Sequence, residues 1–192
     1  MTYRTMAARC VLVMGLPVLV MAQGSGGRAP APQTFSDLIK AQHATIKLNI
    51  TQAAEKMPEE QYTFRPTPEV RSFGELIGHL ANANYNYCSR ATGEANPNQG
   101  TDWEKTTAKA DLVKALQAAT AYCDTIVEKL TDTSAVEMIA APGPNNTTRQ
   151  VARVNGIVQN VTHNNDHYGN IVTYMRLKGL VPPSTERAQA RP

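Results

Sequence analysis

Apolar residues recur along this chain at helical spacing rather than in strand-like alternation. Leu112, Leu116, Ala119, Cys123, Ile126 and Leu130 are separated by 4, 3, 4, 3 and 4 residues, the seam of a bundle helix. Phe35, Leu38, Ile39, Ile46, Ile50, Ala53 and Met57 mark a helix before it. Another begins at Ser72-Phe73-Gly74-Glu75, which has the capping-box form, Ser at the N-cap and Glu three residues on, ahead of Leu76, Ile77, Leu80 and Ala83. A last helix carries the stripe Val151, Val154, Val158, Val161, Tyr168 and Val172. Thr147-Thr148-Arg149-Gln150 repeats the capping form before it. Arg176, Lys178, Gly179 and Pro182-Pro183 supply its stop, so it is predicted from about Thr148 to Lys178.

Proline placement agrees, because proline breaks helix interiors. All 12 prolines leave Gln33–Met57, Glu69–Asn96, Asn98–Ala141 and Asn145–Val181 free, four windows for long helices. The segments Pro58–Arg71, Gly93–Thr106 and Thr131–Asn146 are longer than usual bundle connections, so simple up-down neighbours are not implied. The fold class expected is all-α.

The first residues have a different character. Arg4 and Arg9 precede an uncharged apolar run from Cys10 to Val20, and Val20-Met21-Ala22 offers small residues where signal peptidase cuts. Residues 1–22 are read as a cleaved signal peptide, with a membrane anchor as the competing reading; a span needs about 20 apolar residues and this run is shorter. Gln23–Gln33 follows as a flexible leader, 34–183 as the helical domain and 184–192 as a disordered tail. Export, to a periplasmic or secreted location, and no stable membrane anchor are the corresponding expectations.

Composition then refines the picture. Of 192 residues 42% are hydrophobic but only 6% aromatic, so the core must rest on Ala, Val, Leu and Ile. The formal charge of +3 is too small for a nucleic-acid partner, and removing Arg4 and Arg9 with the signal leaves the mature chain close to neutral. Without Cys10, two cysteines remain in an oxidising compartment. This suggests a Cys88–Cys123 disulfide joining the second and third helices; two separately buried thiols are the alternative.

Four histidines carry the candidate chemistry. His163 and His167 are four residues apart and so share one helix face, where both imidazoles can reach one metal ion. His79 follows Leu76 by three residues at the edge of its helix's apolar face, where it could add a third ligand and leave an open position for water or substrate. The alternative is a hydrogen-bonded core His79 with a solvated pair at 163 and 167, since that pair lies nearly opposite the valine stripe. Asn155, Asn160, Asn164, Asn165 and Asn170 favour a site lining, because a solvated helix face would carry Glu, Lys and Arg instead. His43 has no spacing partner and is read as surface or second shell. Asp166 is the one candidate to orient an imidazole or accept a proton; its plainer role is a solvated carboxylate. Glu75 is explained by the cap and Tyr168 by packing.

Phe64-Arg65-Pro66-Thr67-Pro68, Arg71 through His79, His163 through Gly169 and Tyr174 through Pro183 together resemble the DinB-like (DinB/YfiT) superfamily, over essentially Thr34–Pro183. The resemblance implies a four-helix bundle of DinB/YfiT type with crossover connections, and a divalent metal on His79, His163 and His167. Asn170 departs from the Gln that often follows the glycine there, and His43 matches no family ligand. Characterised relatives include cytoplasmic enzymes that use low-molecular-weight thiols, a chemistry that export argues against. The function expected is a metal-dependent hydrolase or transferase of a small molecule, with zinc first and nickel, manganese or iron behind it. The alternative is a non-catalytic exported module that binds metal or ligand; a homodimer is compatible with either.

Overall fold

The computed structural model describes residues 34–142 and 147–191. The signal peptide and leader expected over residues 1–33 lie outside the described residues. Four long helices form the body: α1 (Phe35–Lys56), α2 (Phe73–Thr92), α3 (Lys109–Val127) and, after the short α4 (Asp132–Ala135) and two strands, α5 (Val154–Leu177). No helix among the described residues is long and apolar enough to cross a membrane.

The corners are filled in an unusual order. α2 packs on α3 and α5, and α1 packs on the same two helices, so α1 and α2, consecutive in sequence, stand diagonally opposite. The Pro58–Arg71 connection therefore has to cross the end of the bundle, which explains its length. It is also packed rather than loose. Tyr62 is buried, its hydroxyl donates to Ala54 O at 2.6 Å, and its ring meets Phe73 edge-on at 5.2 Å. At the head of α2 the capping box forms as predicted: Glu75 N donates to Ser72 Oγ, and Ser72 N to Glu75 Oε2.

The core is aliphatic, as the low aromatic content implies. Ile46, Ile50, Ile77, Leu80, Leu112, Leu116, Ile171 and Met175 are fully buried, and Phe73 is the aromatic member of that set. The seam on α3 appears with Ala115, Thr120 and Val127 added and Ile126 only half-buried. On α1, Phe35 and Leu38 are exposed instead of packed, since the first turn presents its Ser36 and Ile39 side inward.

The structure corrects three other expectations. Thr148–Ala152 does not start the last helix but forms strand β2, antiparallel to β1 (Met138–Pro142) with Met138 opposite Ala152 and Pro142 opposite Thr148. Thr148 and Val151 are β-branched, and ladder pairing supplies the backbone partners that helix would have provided. The helix begins at Val154, and its end is as expected, with Gly179 left-handed at φ +72°. The tail, expected to be disordered, contains helix α6 (Pro183–Gln189). Pro182-Pro183, read as a stop, also place proline at the first helical position, where its missing N–H costs nothing. Glu186 pairs with Lys56, Arg187 donates to Gln52 and Asn49, and Ser184 bonds the Tyr168 hydroxyl. The third correction concerns His43, which is buried between α1 and α3. Its Nε2 lies 2.9 Å from Asp124 Oδ1, and Asp124 also takes Lys47 Nζ at 2.8 Å. Burial pulls its pKa down against the opposing Asp124, so its role is packing within a polar cluster.

Cys88 Sγ and Cys123 Sγ are bonded at 1.98 Å, tying α2 to α3 in the buried interior. Closing a loop of 35 residues stabilises by about 4 kcal/mol in the chain-entropy account. A protein beginning at Thr34 is therefore expected to show no reactive thiol without reductant. Its Cys88→Ser, Cys123→Ser double variant should lose about 2–4 kcal/mol in urea unfolding. A thiol titration that finds two reactive groups in the unreduced protein contradicts this.

Candidate metal centre

The site lies where α2 and α5 cross. Their close approach is set by Gly156, where a Cβ would stand 2.6 Å from Tyr87 O and 2.8 Å from Ala91 N, so α5 lies directly against the α2 backbone. The buried face of α5 is not the valine stripe. It runs Ile157, Val161, Asn164, Tyr168, Ile171 and Met175, again at spacings of 4, 3, 4, 3 and 4, with Val154, Val158 and Val172 only half-buried. His163 and His167 flank this seam instead of opposing it, and both are half-buried at the α2 side. The asparagine inside the seam is what hid it from the hydrophobic pattern.

Three imidazoles converge. His79, His163 and His167 each offer a ring nitrogen within 4.8 Å of the others. His79 Nε2 and His163 Nε2 are 3.1 Å apart, close to the roughly 3.4 Å between two nitrogens on a tetrahedral zinc with bonds of about 2.0–2.1 Å. Ring centroids lie at 5.1 Å (His79–His163), 4.8 Å (His79–His167) and 4.4 Å (His163–His167). The outer nitrogen of His79, Nδ1, meets Glu104 Oε1 at 2.7 Å, and Glu104 Oε2 accepts from Arg71 Nε at 2.9 Å. A proton on Nδ1 shared with a carboxylate leaves Nε2 with its lone pair facing the other two rings, the arrangement that metal-bound histidines adopt. The donor set and its orientation fit a divalent ion.

Electrostatics agree. Burial, then the neighbouring His167 and His79, push His163 down to about 4. Burial and His79 likewise lower His167. These two rings are neutral at neutral pH, as ligands must be. Burial would raise Glu104, but hydrogen bonds from Arg71 and His79 outweigh it and hold the carboxyl below its usual range.

Glu104 and Arg71 are the residues that sequence reasoning missed. Glu104 sits in the short 3-10 turn Trp103–Lys105, far from His79 in sequence. The turn reaches α2 because residue 78 is glycine: a Cβ there would lie 2.3 Å from Trp103 O. A glycine directly before a candidate ligand is a signal of such an approach, although it does not say which segment approaches. Asp166 is exposed and makes no hydrogen bond or ion pair among the described residues, its plainer role. The asparagines divide. Asn160 and Asn164 are buried and bond Asn84 Oδ1 at 2.9 and 3.1 Å, next to Cys123, whereas Asn155, Asn165 and Asn170 are exposed. The two buried amides knit α5 to α2 beneath the rings more than they line an opening.

Two clefts flank the rings. One of about 660 Å³ is bounded by the 65–71 segment, Glu104, His167, Asn170 and Tyr174. The other, of about 450 Å³, reaches His79 and His163 past Tyr87 and the amides Asn86 and Asn96.

The sequence matches the profile of the DinB superfamily over residues 47–171, a span holding all three histidines. Three solved structures share the fold. A DinB-like protein from Bacillus cereus ATCC 10987 is 18% identical, with 79% of this chain and 97% of that one covered at a TM-score of 0.61. The DinB-like protein YjoA from Bacillus subtilis is 24% identical, covering 74% and 92% at 0.58. YfiT from Bacillus subtilis, described as a probable metal-dependent hydrolase with an unusual four-helix bundle topology, is 18% identical, covering 80% and 93% at 0.57. No curated protein matches the sequence.

Two outcomes follow from this geometry. Glu104→Gln removes the carboxylate behind His79 and should weaken zinc affinity about 10–100-fold, measured by competition with a chelator. For His163 the folded pKa lies below the unfolded value of 6.5, so the unfolded state binds more protons between about 4 and 6.5. Stability of the metal-free protein is therefore lost as pH falls through that window and is unaffected by this group above it. His163→Gln should show a shallower fall in melting temperature over that range; parallel curves would contradict the assignment.

Proposed function

As the chain belongs to the DinB superfamily, we propose that it is an exported metal-dependent enzyme, a hydrolase or transferase acting on a small molecule, with zinc on His79, His163 and His167. The convergence of three imidazoles from α2 and α5, with His163 and His167 kept neutral by burial, carries this reading. YfiT, which shares the fold, is described as a probable metal-dependent hydrolase. A divalent ion on three imidazoles would supply Lewis acidity and bring the pKa of a water down to about 7. The chain's own part is to fix the rings. His79 is held by Glu104 and Arg71, and α5 is held against α2 by Gly156 and by the Asn84, Asn160 and Asn164 amides.

A second reading, a non-catalytic exported module that binds metal, has one observation in its favour. The acid or base nearest the rings, Glu104, is engaged by Arg71 and by the outer side of His79, and Asp166 acts on His163 and His167 through its charge without a hydrogen bond to either. Chemistry at the site would then depend on solvent or on the substrate's own groups for proton transfer.

Metal analysis of the purified protein and of His79→Ala and His163→Ala separates these readings from a purely structural one. Stoichiometric metal in wild type, lost in both variants, is expected. Wild type that stays metal-free after incubation with zinc overturns the proposal, and a loaded protein inert toward ester, amide and phosphoester panels leaves the binding module.

A further inference from the structure

The larger cleft beside the rings is lined by two arginines, Arg65 and Arg71, and they are bonded differently. Arg71 Nε donates to Glu104 Oε2, and among the described residues neither terminal nitrogen of its guanidinium has a hydrogen-bond partner. The other charges on that wall pair locally except Glu69, an exposed carboxylate with no cationic partner among the described residues. Arg65 Nη2 grips both Glu75 oxygens at 3.0 and 3.1 Å, and Glu75 also accepts from Ser72 N at 2.7 Å. Glu69 is fully exposed and turns back on Thr67 and its own amide. Glu104 is shared between Arg71 and His79.

The guanidinium is also pre-positioned. The Tyr174 hydroxyl of α5 donates to Arg71 O at 2.6 Å, fixing the backbone just before the α2 N-cap, and the Nε bond to Glu104 sets the plane of the fork. An arginine held by Nε that lines a cleft keeps two unbonded terminal nitrogens, the pair that grips a planar or tetrahedral oxyanion. His167 and Arg71 line the same cleft of about 660 Å³, so one small molecule can meet both.

We propose that Arg71 is the recognition residue for an anionic oxygen group, a carboxylate or a phosphate, on the small molecule bound at this centre. The inference deepens the metal-enzyme reading and rests on it for the position of the second contact. Substrates that are neutral away from their reacting group are then excluded as the favoured class.

The test is calorimetric binding to the zinc-loaded full chain of succinate, its neutral diamide and inorganic phosphate. Wild type is compared with Arg71→Gln, Arg71→Lys and Glu104→Gln, with zinc content measured in each sample. Wild type should bind at least one anion and discriminate against the diamide. Compared at matched zinc occupancy, Arg71→Gln should weaken the anion about tenfold or more, and Arg71→Lys, which keeps charge but not the fork, should recover part of it. Glu104→Gln should lose zinc affinity yet keep the preference for anion over diamide. Equal anion binding by wild type and Arg71→Gln, or a diamide bound as well as succinate, overturns the proposal. If wild type holds no zinc, the metal reading fails by itself. Arg71 is then judged on phosphate binding to the metal-free chain, which must still fall in Arg71→Gln.

Discussion

Backbone contact at Gly78 decides what surrounds the three histidines. With a Cβ that would reach within 2.3 Å of Trp103 O, any other residue would push the Trp103–Lys105 turn off α2. That turn delivers Glu104 to His79 and, through Glu104, joins Arg71 to the same ring. Gly156 plays the corresponding part between α5 and α2, where it lets His163 and His167 come up beside His79. Two missing side chains therefore assemble a site from the α2–α5 pair, the distant Trp103–Lys105 turn and the crossing segment that leads into α2.

The diagonal placement of α1 and α2 gives the crossing segment its role. A short turn joining adjacent helices would have had no residues to spare beside the rings. The long Pro58–Arg71 passage has to traverse the bundle end, and in doing so it carries Arg65 and Arg71 to the mouth of the centre. Its conformation is bought by burial of Tyr62 and by the Tyr174 hydroxyl on Arg71 O. Opposite this end, the disulfide and the Asn84, Asn160 and Asn164 amides lock α2 to α3 and α5, so the rings stand on a braced helix pair.

What the sequence made legible was whatever local periodicity and capping encode. The α3 seam, the Ser72 capping box and the Gly179 stop follow from spacing or residue type, the cysteine pairing from an even count in a chain read as exported, and the three-histidine ligand set from the family resemblance added to the His163–His167 spacing. What it concealed depended on partners distant along the chain. Asn164 sits inside the α5 seam because Asn84 satisfies it, and a hydrophobic pattern scores such a position as surface. Thr148–Ala152 pairs with a strand, so Thr147 and Thr148 imitate a helix cap without starting one. His43 has no spacing partner because its partner, Asp124, comes from another helix. Glu104 was invisible for the same reason, being placed by a steric vacancy and not by a motif.

The chain Arg71–Glu104–His79 makes cleft and centre one electrostatic unit. Were Glu104 protonated, it would donate to His79 Nδ1, the ring proton would move to Nε2, and the lone pair facing His163 would be lost. Arg71, with His79, lowers the Glu104 pKa and so extends to more acid pH the range in which the ring keeps its ligand tautomer. Because this duty uses only Nε, the terminal nitrogens stay available toward the cleft, and an anion bound there would add to the guanidinium's contacts without displacing Glu104. The same side chain can therefore support the ligand set and face a ligand at once. A lysine ammonium could touch both partners with its three donors, but it has no rigid fork to hold Glu104 on one edge and present a planar pair of donors on the other.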